Sequence, residues 1–354
     1  MPDSSSANNL NTASSSQQEL SLKGQTVLVT GAGGFIGSHL VEALIERGAH
    51  VRAMVRYNSR NFWGYLENLN AKQMAQVEIF SGDITDAFFV RKAVSGCTAV
   101  FHLAALIGIP YSYVAPQQYV DVNIQGTLNV LEACRAENVQ KLVHTSTSET
   151  YGTAIYAPID EAHPMQGQSP YSATKIGADK IAESYYLSFG LPVAIIRPFN
   201  TFGPRQSSRA VIPTIISQAL AFERNGEPIR LGSLEPKRDF TFVKDTAEGF
   251  IRMAEVPASA GHVINVGSGQ TQTIGETLML IQDILGKGDI PVITEEKRIR
   301  PEKSEVGLLL ANAQKAKEIL GWEPRYTFRE GLEEAIAYFR TQVDLNTKTT
   351  LYHV

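Results

Sequence analysis

Cysteine is nearly absent. Cys97 and Cys134 are the only two in 354 residues, too few for a disulfide framework, and neither has a second Cys or a His at metal-ligand spacing. Both read as buried thiols of a reducing compartment, and no metal is expected. Basic residues are not in excess either: 32 Lys and Arg face 36 Asp and Glu, for a formal net charge of -4. A chain without a positive field has no general hold on a polyanion, so no nucleic-acid partner is expected. No apolar run approaches the eighteen residues of a membrane span, and the Ser/Asn/Gln-rich opening, Met1 to Gln18, lacks the basic start and apolar middle of a secretory signal. The expectation is a cytoplasmic protein, away from membranes, with residues 1–21 as a disordered tail. What the chain does have is a hydrophobic content of 43%, enough for one large α/β unit or two ordinary domains.

Beyond the tail, short β-branched runs alternate with longer segments of helical period. The spacing predicts strands over Thr26–Thr30, Val51–Val55, Val77–Phe80, Ala99–Leu103, Lys141–Ser146 and Val193–Pro198. Helices are predicted near Ile36–Arg47, Pro116–Glu137 and Tyr171–Phe189. This alternation marks a parallel sheet covered on both faces, and six strands fit a Rossmann-type, doubly wound α/β fold. After Asn200 the alternation weakens and Gly and Pro thicken. The predicted organisation is a dinucleotide-binding domain over 22–200 and a smaller, mixed C-terminal substrate lobe over 201–354, with about 239–266 returning to the first domain.

Gly31-Ala32-Gly33-Gly34-Phe35-Ile36-Gly37 follows the first strand and opens a helix. Glycines at 31, 34 and 37 allow a tight turn, a close approach to a pyrophosphate and tight helix packing, with the helix start at Phe35 and Ile36 facing the anion. The bland alternative is an ordinary Gly-rich turn. The second strand ends in Val55-Arg56 rather than in an acid, with Arg60 close behind. A guanidinium there can hold a 2′-phosphate, which favours NADP over NAD, although Arg56 could equally stack on the adenine. Asp83, followed by Ile84, is a candidate acceptor for the adenine amino group; an N-cap role is the alternative, shared with Asp86.

Tyr171 and Lys175 lie four apart at the start of a helical stretch, hence on one face. A fixed ammonium beside a tyrosine is expected to lower the phenol toward working pH and make it a general base toward a sugar hydroxyl. Upstream, a strand ends in Thr145-Ser146-Thr147-Ser148-Glu149-Thr150-Tyr151-Gly152, a hydroxyl-rich run that can share the proton.

Taken in order, Gly31-x-x-Gly34-x-x-Gly37, His102-Leu103-Ala104-Ala105, Asn123-Ile124-Gln125-Gly126-Thr127, Tyr171-x-x-x-Lys175 and Arg197-Pro198-Phe199-Asn200-x-x-Gly203-Pro204 resemble an extended short-chain dehydrogenase/reductase acting on nucleotide-activated sugars. The resemblance runs from Leu22 to about Phe339. It implies that Thr147, Tyr171 and Lys175 oxidise the sugar at C4, that Lys175 also holds the nicotinamide ribose, and that Leu103, Ala104 and Ala105 line the cofactor. It further implies a homodimer through the helices Pro116–Glu137 and Tyr171–Phe189. Sugar 4-epimerases of this family carry no carboxylate at the positions of Ser148 and Glu149, whereas Thr147-Ser148-Glu149 is similar to the run in 4,6-dehydratases such as the GDP-mannose enzyme. Once C4 is a ketone the C5 proton is acidic, and a carboxylate can remove it while water leaves from C6. Glu149 is therefore the expected acid/base, assisted by Ser148, since the aspartate that glucose-type dehydratases pair with that glutamate is serine here. The alternative for Glu149 is a surface residue at a helix start.

UDP-glucuronate decarboxylases also resemble the Thr-Ser-Glu run, so decarboxylation is the second reading and 4-epimerisation the third. Arg56 to Leu66, rich in aromatics, resembles dehydratases of legionaminic-acid-type pathways, which act on nucleotide-linked N-acetylglucosamine; a packed surface loop is the plain alternative. By resemblance to the nucleotide-sugar family, Arg238 and Arg300 anchor a nucleotide diphosphate and Asn200 bonds the sugar or phosphate, with Arg205 close behind in sequence as a further candidate; a solvated surface charge is the alternative for each arginine. His102 and His144 read as satisfied core histidines. A non-catalytic dinucleotide sensor on the same fold would have no reason to keep Thr147, Glu149, Tyr171 and Lys175 together.

Overall fold

Strands rich in Val, Ile and Ala form because a sheet covered on both faces buries side chains of both parities. This computed structural model describes residues 18–288, 290–295 and 307–343. The first half runs β1 (Thr26–Thr30), α1 (Phe35–Glu46), β2 (His50–Arg56), α2 (Ala71–Met74), β3 (Val77–Gly82), α3 (Ala87–Val94) and β4 (Ala99–His102). It continues through α4 (Ile109–Val114), α5 (Pro116–Tyr119), α6 (Gly126–Ala136), β5 (Lys141–Thr145), α7 (Pro170–Phe189) and β6 (Val193–Pro198). The second half comprises β7 (Asn200–Phe202), α8 (Val211–Asn225), β8 (Ile229–Leu231), β9 (Lys237–Arg238), β10 (Phe240–Phe242), α9 (Val243–Glu255) and β11 (Val263–Val266). Last come β12 (Gln272–Thr273), α10 (Ile274–Leu285), β13 (Val292–Thr294), β14 (Leu308–Leu309) and α11 (Phe328–Val343).

Seven strands form one parallel sheet in the order β11-β6-β5-β4-β1-β2-β3. The fold is a Rossmann-type α/β fold with smaller sheets added. Strand alternation supplies both cores: Val27, Val29, Phe101 and Val143 meet Leu40, Leu44 and Phe250 of α1 and α9 on one face. Leu28, Val100 and Leu142 meet Val130 and Ala182 of α6 and α7 on the other. A third core, built from Phe202, Ile215, Phe242, Ile281 and Leu332, lies where α8, α10 and α11 close over the small strands. Among the described residues no helix is long and apolar enough to cross a membrane.

Two of the expected strands, Thr26–Thr30 and Val193–Pro198, have the expected ends. The sheet has one strand more than the six expected, because Val263–Val266 returns to pair with β6. The helix expected over Pro116–Glu137 is α5, a π-helical stretch over Val120–Gln125, and α6, ending at Ala136. The wide turn carries Asn123, whose side chain accepts from Leu106 N at 2.8 Å and donates to Leu106 O at 3.0 Å and Thr174 Oγ1 at 3.1 Å. Such wide turns often mark functional positions.

At the start of β5 an ammonium is buried with no carboxylate against it among the described residues. Lys141 Nζ donates to Val256 O, Pro257 O and Ser259 Oγ at 3.2, 3.3 and 3.0 Å, and burial pushes it down to about 8 from an ordinary 10.5. That gap corresponds to roughly 3 kcal/mol. Between those values the unfolded chain binds more protons, so the group makes stability rise with pH across this window. Lys141→Met is expected to flatten the rise of Tm between pH 8 and 10.5; an unchanged slope would show that Lys141 titrates normally.

Both cysteines are buried free thiols. Burial pushes Cys97 up to about 11 and raises Cys134 as well.

Candidate active site

Several of the candidate residues lie at the C-terminal ends of the sheet strands. Directly after β1, Gly31 adopts φ +70°, and a Cβ there would fall 2.9 Å from Ala104 N. A Cβ on Gly37 would fall 2.3 Å from Gly31 O. Gly34, the N-cap of α1, offers no capping side chain, so the N–H groups of Phe35, Ile36 and Gly37 remain for an external acceptor. This cradle fits a dinucleotide diphosphate. The Thr30 hydroxyl accepts from Leu103 N at 3.1 Å and Ala104 N at 3.0 Å, which holds the segment Leu103–Ala105 beside the glycine turn.

At the next strand ends, Arg56 is exposed and in register with Gly82, and Asp83 follows. The Thr85 backbone N–H, then its hydroxyl and the Arg56 guanidinium, hold the Asp83 carboxyl below its ordinary value against burial. The N-cap of α3 is Asp86, which accepts from Phe88 N at 3.0 Å and Phe89 N at 3.1 Å. Asp83 is thus left to Thr85, and the buried Ile84 is fixed through its carbonyl by Asn129 Nδ2 at 3.0 Å. Sequence reasoning missed Gly33. A Cβ there would fall 2.5 Å from Trp63 O, Gly64 at φ +68° approaches Gly33 in return, and Tyr65 N donates to Gly33 O at 3.0 Å. The aromatic segment after β2 is therefore laid directly on the glycine loop.

The chemistry sits where β5 meets α7. Beyond Thr145 the chain enters a short 3₁₀ segment, Ser148–Thr150, capped by the Thr147 hydroxyl, which accepts from Glu149 N at 3.2 Å. Thr147 and Glu149 keep part of their surface open, whereas Ser146, Ser148 and Thr150 are buried. A capping box between Ser169 and Ser172 starts α7 and places Tyr171 in its first turn. Tyr171, Lys175 and Asp179 then follow at four-residue spacing down one face. Lys175 Nζ donates to Thr145 O at 2.5 Å, Ser146 Oγ donates to Asp179 Oδ2 at 2.6 Å, and the Thr147 hydroxyl is near enough to the Tyr171 phenol to stabilise its ionised form.

One expectation is corrected here. The Tyr171 phenol is raised, not lowered: burial dominates, the Thr147 hydroxyl opposes it, and the Glu149 and Asp179 carboxylates raise it further. The Lys175 ammonium, directed at the Thr145 carbonyl, is itself pushed down to about 8 by burial, with Asp179 acting the other way. His102 is a satisfied core histidine, Nδ1 meeting Thr30 Oγ1 at 2.9 Å and Nε2 meeting Thr127 Oγ1 at 3.0 Å. His144 is not. Neither ring nitrogen makes an aligned hydrogen bond, although Nε2 lies 3.2 Å from Asp179 Oδ1. Among the described residues no three His, Cys, Asp or Glu gather as metal ligands would.

Of the candidates for gripping substrate, the pairing of β7 with β10 brings two together. Asn200 N donates to Asp239 O at 3.1 Å, next to the buried Arg238, and Asp239 is anchored in turn by Ser268, Gly269 and Ala311. Arg205 is directed elsewhere. From a left-handed backbone at φ +67° its guanidinium makes a two-pronged pair with Glu42 of α1, at 2.9 and 2.7 Å. Arg300 lies outside the described residues.

The model of the GDP-mannose 4,6 dehydratase family matches residues 28–335. A UDP-glucose 4-epimerase of Mycolicibacterium smegmatis is 33% identical over 320 residues, 89% of this chain and 98% of that protein. The solved UDP-N-acetylglucosamine 4-epimerase from Methanobrevibacter ruminantium, in complex with UDP-N-acetylmuramic acid, is 35% identical, covers 90% of this chain and 99% of its own, and superposes with a TM-score of 0.81. The UDP-glucuronic acid 4-epimerase from Bacillus cereus, in complex with UDP-glucuronic acid and NAD, is 28% identical with a TM-score of 0.79 over 89% of this chain and 99% of its own. With the glycine cradle, the Thr147–Tyr171–Lys175 cluster and these likenesses together, the chain belongs to the extended short-chain dehydrogenase/reductase family of nucleotide-sugar dehydratases and epimerases.

Proposed function

We propose that the chain is a nucleotide-sugar 4,6-dehydratase, converting an NDP-hexose, with NDP-N-acetylglucosamine favoured, into its 4-keto-6-deoxy sugar. The observation that carries this reading is Glu149: a partly open carboxylate two residues from Thr147, close enough to the Tyr171 phenol to raise it. Epimerisation gives a carboxylate at this position nothing to do.

A bound NADP or NAD, held by the Gly31–Gly37 cradle, Leu103–Ala105, Asp83 and Arg56, would supply a hydride acceptor for C4 and a donor for C6, so the overall reaction is redox-neutral. Tyr171 takes the proton of the C4 hydroxyl, with Thr147 sharing it. Because burial raises the free phenol, the Lys175 ammonium must supply the electrostatic support for its ionised form. Glu149 then removes the C5 proton, acidified by the C4 carbonyl, the C6 hydroxyl leaves as water with a proton from Glu149 or Ser148, and Glu149, protonated again from solvent, returns a proton to C5 as C6 is reduced. Asn200 and Arg238 hold the nucleotide diphosphate, and Arg300 is a further candidate. Arg205, bound to Glu42, serves instead to hold the substrate lobe against α1.

The 4-epimerases among the relatives favour epimerisation as the second reading. UDP-, GDP-, CDP- and dTDP-linked hexoses, incubated with the purified protein in deuterated water, separate the readings. The expected product is lighter by one water and carries solvent deuterium at C5. Unchanged mass with altered chromatography would establish epimerisation, and loss of carbon dioxide from a uronate would establish decarboxylation.

A further inference from the structure

Of three successive residues at the strand end, Thr145 is bonded by Lys175, Ser146 is bonded to Asp179 one turn further along α7, and Thr147 acts on the Tyr171 phenol one turn before Lys175. The first and third belong to the reaction just proposed. We infer that Asp179 is a positioning residue for that reaction: it is the counter-charge that keeps Lys175 an ammonium and, through Ser146, it sets the strand end that presents Thr147 to Tyr171. The inference rests on the proposed roles of Tyr171, Thr147 and Lys175 and adds a fourth group that touches neither sugar nor dinucleotide.

Asp179 is fully buried. Its Oδ2 accepts from Arg197 Nη2 at 2.7 Å as well as from Ser146, while Oδ1 has no aligned donor and lies 3.2 Å from His144 Nε2. A carboxylate so deep needs compensating positive charge. Arg197, itself 2% exposed, is hydrogen-bonded to the carboxylate and to Ser146 Oγ at 3.2 Å. Lys175, one helical turn away, has no other carboxylate acting on it among the described residues. The groups around this ammonium are Tyr171 and Asp179 on its own helix, His144 on β5, His102 on β4 and, through Asp179, Arg197 on β6. Burial lowers both histidines, so they are neutral near pH 7 and contribute no counter-charge. One buried carboxylate is thus shared by two buried cations. Removing its charge leaves Lys175 to shed a proton, since a bare buried ammonium favours its neutral form.

The test is a titration of Lys175 by magnetic resonance in full-length protein carrying lysine isotopically labelled at Cε, the resonance being assigned by its loss in Lys175→Met. In the parent protein the midpoint is expected at about 8. Asp179→Asn keeps the shape and an acceptor for Ser146 but removes the charge, and the midpoint should fall by at least about one pH unit. An unmoved midpoint overturns the inference, including the case in which only thermal stability drops. If the single variant does not accumulate as folded protein, Asp179→Asn/Arg197→Gln removes both charges of the pair and must show the same fall, because Arg197 does not act on Lys175 directly. With a nucleotide sugar that turns over, the alkaline limb of kcat should move down with the midpoint while KM stays unchanged; a limb that stays in place overturns the inference. A parent protein that turns over no nucleotide sugar defeats the functional reading alone, because the titration still decides the role of Asp179.

Discussion

Glu149→Gln is expected to fold, to keep its dinucleotide and to form the 4-keto-6-deoxy product more slowly, with kcat down by about 10²–10⁴, the usual share of a general acid/base. That loss is roughly 3–5 kcal/mol of barrier. The fold should persist because the glutamine has the same shape on a partly open site and its backbone N–H still donates to the Thr147 hydroxyl. Cofactor binding should persist because the carboxylate belongs to the strand end after β5, whereas the cradle lies after β1. The same substitution should slow the entry of solvent deuterium at C5 in parallel, since Asp179, the other carboxylate that acts on Tyr171, is fully buried. An epimerase, which only oxidises and re-reduces C4, would hardly notice the change. Turnover at the parental rate would therefore remove both Glu149 and dehydration from the account.

The second large effect concerns binding. Gly37→Val should abolish dinucleotide retention through purification. A bare Cβ at this position already falls 2.3 Å from Gly31 O and 3.0 Å from the Ala32 Cα, and valine adds two methyl groups to that clash. Relief requires α1 to move away from the glycine turn, which opens the Phe35–Gly37 N–H cluster that would face a diphosphate. Overpacking of this kind costs about 1–3 kcal/mol of stability, small enough for the rest of the sheet to survive. The measurement is ultraviolet absorbance and mass of dinucleotide released from denatured protein, and in the parent the mass also decides between NADP and NAD. A variant carrying its full complement would rule out the Gly31–Gly37 turn as the diphosphate site.

The elements legible in the sequence were those with local signals. β1 and β6 are apolar runs closed by glycine or proline, and the glycine turn and the Tyr171–Lys175 spacing need no tertiary information. β11 escaped because Val-Ile-Asn-Val is short and holds a buried polar residue: Asn265 lies wholly inside and binds the Tyr151 hydroxyl at 2.7 Å. Only its pairing with β6, nearly seventy positions upstream, makes it a strand. Asp179 went unnoticed because an acidic residue in the middle of a helix ordinarily faces water; the overlooked signal was that it continues the four-residue spacing from Tyr171 and Lys175. The turn of Arg205 toward Glu42 depends on a left-handed backbone that no neighbouring residue announces. The Tyr171 phenol was misjudged for a related reason, since helical spacing shows that two side chains are neighbours but not how deeply both are buried.

The two deep thiols have a practical corollary. With Cys97 at about 11 and Cys134 also raised, little thiolate is present near neutral pH, and thiol-alkylating reagents react slowly with both. A single cysteine introduced on the surface would then be the sole reactive handle of the chain, so a fluorophore or spin label could be attached at a chosen loop without first deleting either native residue.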